Sequence, residues 1–146
     1  MNVIMLSALM TNFGFIVFGI NFGGNILTFI DMPSIIILLV PTYLSVAAAY
    51  DLDSALATLK GIAIDPEPKD AAALALVSEC YGRQLLAFAW VATFIGAINM
   101  LSQIDDPSVI APATAVLLLC PLYAASMRAV VFLPLTDKFN RLAKSA

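Results

Sequence analysis

Residues 84–104 read QLLAFAWVATFIGAINMLSQI and decide the fold, because they include no Asp, Glu, Lys, Arg or His. A helix needs about 20 residues to cross about 30 Å of hydrocarbon, at a rise of about 1.5 Å per residue. A strand of a membrane barrel would instead alternate polar and apolar residues over about 10 positions, which this stretch does not do. Since a backbone in lipid must satisfy its own hydrogen bonds, the stretch predicts a membrane-spanning helix.

Three further stretches without a charged residue lie at 1–30, 32–50 and 107–127. Together with the first stretch they predict four spans, at about 3–20, 33–50, 85–103 and 109–133. The composition agrees, because 62% of the 146 residues are hydrophobic and 12% are charged, against roughly 45–50% and about 25% in soluble domains. The sequence therefore predicts an all-α, multi-pass membrane protein.

The composition also excludes several kinds of chemistry. The chain has no His and two Cys, which excludes a His-containing metal site, a Ser–His–Asp or Cys–His nucleophile and a disulfide framework. Its net charge of −3 gives no basic surface for nucleic acid. We therefore expect no enzyme activity, no catalytic residue, no metal and no cofactor.

The positive charges predict the orientation of the spans, since Lys and Arg concentrate in cytoplasmic loops. All seven lie between the second and third spans, at the end of the fourth span or after it: Lys60, Lys69, Arg83, Arg128, Lys138, Arg141 and Lys144. The two other loops contain only Asp31, Asp105 and Asp106. Both termini are therefore expected in the cytoplasm, and both acidic loops on the outer side.

Four regions follow from this order. Residues 1–50 form a first transmembrane hairpin, 51–84 a short cytoplasmic helical segment, 85–135 a second transmembrane hairpin and 136–146 a cytoplasmic tail. The first span lacks the basic start and cleavage site of a signal peptide, so we expect it to be kept. Within the cytoplasmic segment, 52–61 predicts an amphipathic helix that breaks at the prolines of 65–70. Asp70 is expected to cap a helix that continues into the third span.

The predicted spans contain no carboxylate, Lys or His, although proton carriers usually place an ionisable group there. A stand-alone carrier, such as a small four-helix multidrug-type transporter, is therefore disfavoured unless another chain supplies the acid. The fourth span places Pro112 and Pro121 beside three weakly polar residues, which are Thr114, Cys120 and Tyr123. These residues either join helices by hydrogen bonds around tolerated kinks or line an ion pathway. The residues alone leave both interpretations open.

Four motifs in order carry a family resemblance: FIDMPS at 29–34, FAWVATFIGAINML at 88–101, IDDPS at 104–108 and FLPLTDK at 132–138. With Tyr123 between the last two, they resemble the MotA/TolQ/ExbB ion-channel family, and within it the MotA type of flagellar stator subunit. The resemblance covers about 29–50 and 84–141. Each motif is weak by itself, but their order and spacing are specific.

The resemblance implies a homopentamer in the bacterial inner (cytoplasmic) membrane, around a single-span partner of the MotB/TolR/ExbD type. A membrane carboxylate of that partner carries the proton or sodium ion, which fits spans that lack an acid. Thr93 matches the threonine that faces the carboxylate in this family. Pro134 matches the proline near the inner end of the fourth span, and we expect it to act with Asp137 and Lys138 in gating or coupling.

Two departures from the family pattern shape the functional prediction. Cys120-Pro121 stands where the fourth span usually offers a pair of threonines, which removes an ion ligand and makes H⁺ the expected ion. The cytoplasmic segment is much shorter than in flagellar stators, so docking to a rotor by the familiar route is not expected. The function predicted is a MotA-like subunit of a proton-driven motor or energy-transducing channel. The alternative is a non-conducting oligomeric scaffold that keeps the fold.

Overall fold

A computed structural model describes residues 3–23 and 29–145, and within these ranges the chain forms helices and no strand. The all-α prediction is confirmed for this part of the chain. The helices in order are α1 (Val3–Gly23), α2 (Met32–Tyr50), α3 (Leu52–Lys60), α4 (Pro68–Ser102), α5 (Pro107–Met127), a π-helical turn (Arg128–Phe132) and α6 (Leu133–Ala143).

A long antiparallel hairpin is the centre of the fold. One arm is the 35-residue helix α4, and the other is the unbroken run of α5, the π-helical turn and α6. Small residues on α4 let the two arms approach closely. A Cβ atom added at Gly96 would lie 3.1 Å from the backbone nitrogen of Leu117 and 3.3 Å from the carbonyl oxygen of Ala113. The small residues of α4 therefore serve first to pack it against α5 in the same chain.

Helices α2 and α3 cover the half of this hairpin that lies away from the α4–α5 turn. Leu38 and Val46 of α2 are buried in one cluster with Leu85 and Ala89 of α4. Inside the same cluster, the ring of Tyr81 stacks on that of Phe132 with centroids 5.0 Å apart. The Tyr81 hydroxyl donates to the carbonyl oxygen of Ala55 at 3.3 Å, which holds α3 against α4.

Among the described residues, three stretches of helix are long and apolar enough to cross a membrane: Met32–Tyr50, Pro68–Ser102 and Ile110–Ala143. Within α1, a shorter apolar stretch runs from Leu9 to Gly19. In an apolar 18-residue segment of each stretch, between 22% and 24% is buried inside the chain. Most of the apolar surface therefore faces outward, as it does in a multi-pass membrane protein. The fourth span, the cytoplasmic termini and the pentamer stay predictions.

The segment 51–84 follows the predicted helical pattern with one correction. The amphipathic helix expected at 52–61 is present as α3, and α4 runs without a break into the third predicted span. The expected cap at Asp70 is wrong, because Glu67 is the N-cap residue and Pro68 occupies the first turn. Proline fits that position because an N–H in the first turn has no hydrogen-bond partner within the helix. Proline also keeps the preceding residue, Glu67, in an extended conformation.

Candidate functional site

Thr93 lies on the face of α4 that meets α5, half-buried. Its hydroxyl donates a long hydrogen bond of 3.4 Å to the carbonyl oxygen of Leu117. In a regular α-helix that oxygen would accept from the backbone N–H four residues later, but this position is Pro121, which has no N–H. Thr93 therefore supplies the donor that Pro121 removes. Two of the sequence-predicted site residues are thus joined through one backbone oxygen.

Thr114 and Cys120 are held inside the hairpin in different ways. The hydroxyl of Thr114 donates to the carbonyl oxygen of Ile110 at 2.7 Å and lies 3.4 Å from the sulfur of Met100. The free thiol of Cys120 has 0% of its surface exposed. These contacts do not show whether Thr114 or Cys120 lines an ion pathway. That role stays a prediction for both residues.

Tyr123 joins α5 to the start of α2. Its hydroxyl donates to the carbonyl oxygen of Phe29 and accepts from the backbone N–H of Asp31 at 3.1 Å. The carboxylate of Asp31 in turn caps α2 by accepting from the N–H of Ser34 at 3.0 Å. The oxygen of Tyr123 therefore has both a donor and an acceptor inside the chain, and it fixes where α2 begins.

The hydrogen bonds of Tyr123 place the loop with Asp31 and the loop with Asp105 and Asp106 at different positions along the hairpin. Tyr123 lies sixteen residues after Pro107, which corresponds to about 24 Å along α5. Asp31 is hydrogen-bonded to Tyr123, so it lies far along α5 from the turn that contains Asp105 and Asp106. The sequence alone suggested that both loops reach the same outer side. The hydrogen bonds show that α2 begins far along α5, towards its C-terminal end.

Pro134 is the second residue after the π-helical turn, whose last hydrogen bond joins the N–H of Leu133 to the carbonyl oxygen of Arg128. Beside it, the hydroxyls of Ser78 and Thr136 both donate to the carbonyl oxygen of Phe132, at 3.1 and 2.8 Å. The two hydroxyl oxygens lie 3.0 Å apart. This polar cluster fastens α4 to the point where α5 passes into α6. Single-turn π-helical insertions recur at functional sites in other proteins.

Lys138 and the neighbouring Asp137 differ in how far they are buried. Lys138 is buried, with its Nζ atom 2.8 Å from the carbonyl oxygen of Gly61 and 2.6 Å from the carboxylate of Asp65. The hydrogen bond from Lys138 lowers the pKa of Asp65, against a smaller opposing effect of desolvation. Asp137, the preceding residue, is exposed. Lys138 thus closes the α3–α4 connection onto α6, while part of Asp137 stays accessible to a partner.

Sequence reasoning missed the Leu117 carbonyl and the Ser78–Thr136 pair. The signal for Leu117 was present, because Pro121 necessarily frees the carbonyl four residues before it. Ser78 carried a weaker signal, since it interrupts the buried stripe of α4 that includes Leu74, Gly82 and Leu85. In the described ranges, no group of three or more His, Cys, Asp or Glu is arranged to hold a metal ion.

No protein-family profile matches the chain. Three curated proteins are similar to parts of it. The "Chemotaxis protein PomA" of Vibrio alginolyticus is 41% identical over 64 residues, which are 44% of this chain and 25% of that protein. The "Motility protein A" of Cereibacter sphaeroides is 46% identical over 54 residues, covering 37% of this chain and 21% of the relative. That of Aquifex aeolicus is 36% identical over 55 residues, covering 38% and 22%.

The chain therefore resembles motility proteins of the MotA and PomA type, as its motifs predicted. The matched stretches cover about a quarter or less of each relative's length. A much shortened region between the two hairpins agrees with this partial coverage. The relatives are motility proteins, and none is named as an enzyme.

Proposed function

We propose that this chain is a stator-like subunit of a proton-driven membrane motor or energy-transducing channel. Several copies, five by family resemblance, surround a single-span partner whose membrane carboxylate takes up and releases H⁺. The observation that carries this proposal is the similarity to motility proteins, together with the motifs of the α4–α5 hairpin. The pentamer, the partner and the transported ion are all part of this proposal.

The chemistry of the hairpin supports a partner that brings the acid. Neither 84–104 nor 107–127 contains an ionisable Asp, Glu, Lys, Arg or His, so this part of the chain has no carboxylate or amine of its own to carry a proton. Thr93 is half-buried, so its oxygen is within reach of a neighbouring helix. Apolar side chains on α4, including Trp90, Phe94 and Ile98, are exposed and suit contact with lipid or with further helices.

A non-conducting scaffold is the second candidate. It is favoured by the way the site residues are used inside the chain, since Cys120 is fully buried and Tyr123 has partners on both sides. Under this alternative the hairpin keeps the fold of a stator subunit but offers no polar path. Native mass spectrometry of the purified chain would support it by finding a stable oligomer that never binds a single-span partner.

Proton flux into liposomes tests the proposal. The chain is co-expressed with a candidate single-span partner that carries a membrane Asp, and the purified complex is reconstituted. We expect flux from the complex and a strong loss with Thr93→Ala. Thr42→Ala is a matched control, because Thr42 donates its hydroxyl to the Leu38 carbonyl within α2, away from the α4–α5 contact. Flux that is absent, or equal in the Thr93 variant, would contradict the proposal.

A further inference from the structure

Thr93 has a single hydroxyl hydrogen, and the fold already uses it. A hydroxyl has one hydrogen to donate and two lone pairs to accept with. The hydrogen is directed to the carbonyl oxygen of Leu117, 3.4 Å away. That oxygen has no α-helical donor because Pro121 lacks an N–H. In lipid an unpaired carbonyl is costly, so Thr93 gains by keeping its hydrogen there.

We infer that Thr93 meets a partner's carboxyl group as a hydrogen-bond acceptor, and that Pro121 positions it to do so. This inference rests on the proposed function, and it specifies how the site selects its ion. A protonated carboxyl has a hydrogen to donate to the oxygen of Thr93. A carboxylate has none, and it would face the lone pairs of another oxygen. The site therefore favours the acid with its proton bound.

The surroundings of Thr93 contain no charge that would override this preference. The helices packed here are α2, α4 and α5, and between Arg83 and Asp105 or between Asp106 and Arg128 the chain carries no charged side chain. The tyrosines and cysteines of the three helices are Tyr43, Tyr50, Cys80, Tyr81, Cys120 and Tyr123, and the charged residues of α4 are Lys69, Asp70, Glu79 and Arg83, all at least ten positions from Thr93. With no charge nearby, hydrogen bonding and desolvation determine the protonation state, and both favour the protonated acid.

The same geometry explains how the chain differs from a site for Na⁺. A dehydrated cation needs several oxygen ligands, and backbone carbonyls freed from a helix are among those that membrane proteins use. Here the freed oxygen of Leu117 is occupied by the Thr93 hydroxyl. The Leu117 oxygen is thus not available to coordinate an ion. The Thr93 oxygen is positioned to accept a hydrogen bond from a protonated group.

Pro121→Ala reverses this arrangement with a small change. The substituted residue would supply the missing N–H to the Leu117 carbonyl, so the Thr93 hydroxyl would be free to donate to a carboxylate. Donation stabilises the charged form of the acid and lowers its proton affinity. We expect the midpoint of proton flux against pH to move towards acid by about one pH unit, which is tenfold in proton affinity.

Pro112→Ala is the matched control. It also restores an N–H inside α5, but to the carbonyl of Ser108 at the other end of the helix. Its flux midpoint should equal that of the wild type. An unshifted midpoint in Pro121→Ala, with normal wild-type flux, would overturn the inference and leave the proposed function intact. Absent flux in the wild type would instead overturn the proposed function.

A spectroscopic measurement tests the hydrogen bond without any partner. The Leu117 carbonyl is labelled with ¹³C and ¹⁸O in the full chain, and its infrared band is recorded in lipid. Thr93→Val should move the band to higher frequency in the Pro121 background and leave it unmoved in the Pro121→Ala background. Equal shifts in both backgrounds, or no shift in either, would overturn the assignment of Thr93 as the donor to Leu117.

Discussion

The backbone N–H of Asp31 donates to the hydroxyl of Tyr123 at 3.1 Å, across 92 positions of sequence. The same hydroxyl donates to the carbonyl of Phe29, so one side chain of α5 holds both sides of the turn that leads into α2. This contact sets the height of α2 against the α4–α5 hairpin. It also makes Tyr123 a structural anchor, whatever further role it has.

Tyr123→Phe should loosen the start of α2 while leaving the hairpin intact. The change removes one oxygen and leaves the N–H of Asp31 without its acceptor, which costs about 1–3 kcal/mol. Hydrogen exchange measured by mass spectrometry in detergent should show faster exchange in the first turn of α2 and unchanged exchange in the centre of α4. Unchanged exchange in that turn would show that the Tyr123 bonds do not hold it.

Gly96→Val should destabilise the packing of α4 against α5. The first added carbon would already lie 3.1–3.3 Å from backbone atoms of Leu117 and Ala113, and the two methyl groups extend beyond it. Overpacking of this kind costs about 1–3 kcal/mol. The melting temperature in detergent should fall for this variant and change little for Gly19→Val, since Gly19 has open space around it. Equal melting temperatures for the two variants would contradict the tight contact.

The Asp65–Lys138 ion pair should weaken in acid. The pKa of Asp65 is lowered in the folded chain. The pair therefore stabilises the fold above the ordinary pKa of 3.8, and its contribution is lost as the pH falls through the lowered pKa. Because the Asp65 side chain is 43% exposed, solvent screening limits the effect to about 1 kcal/mol or less.

The loss of the Asp65–Lys138 pair in acid can be measured by limited proteolysis of the α3–α4 connection. The pH is varied between about 2 and 6, on either side of the ordinary carboxyl pKa. Cleavage should rise in acid for the wild type, and Asp65→Asn should be cleaved more readily near pH 6, with a flatter profile that meets the wild-type profile in acid. Glu67→Gln is the control, because Glu67 pairs with Lys69 on the open surface, where the two side chains are 70% and 73% exposed. A wild-type profile in Asp65→Asn would show that the pair does not hold the connection.

Ser78 and Thr136 should act as one unit at the π-helical turn. Both donate to the carbonyl of Phe132 and their oxygens lie 3.0 Å apart, so removing either leaves the other to satisfy that carbonyl. Ser78→Ala and Thr136→Val should each cost about 1 kcal/mol, and the double variant should cost more than their sum. Chemical unfolding in detergent gives the free energies. Strictly additive costs would show that the two hydroxyls act independently.

The ends of the helices could be predicted from sequence because their causes are local. Charge-free stretches bounded by Asp31 and Asp51 predicted 33–50, and the helix spans Met32–Tyr50. Prolines marked the first turn in the same way, as Pro107 does for α5. Asp70 was misassigned because both a proline and an acid stood near the boundary, and proline in the first turn decided it.

The polar contacts between helices could not be predicted in this way, because they depend on the register of one helix against another. The sequence marked Thr93 and Pro121 separately, but their meeting at the Leu117 carbonyl follows from how α4 and α5 pack around Gly96. The π-helical turn before Pro134 likewise has no local signature. The height of α2 required Tyr123 to be seen bonded to Asp31.

The central claim is that the acid which titrates belongs to another polypeptide. The most direct measurement compares proton flux in liposomes for the chain alone, for its complex with a single-span partner, and for a complex in which the partner's membrane Asp is changed to Asn. We predict flux from the unaltered complex, and none from the other two. Flux from this chain by itself, or flux that survives the Asp→Asn change, would contradict the claim.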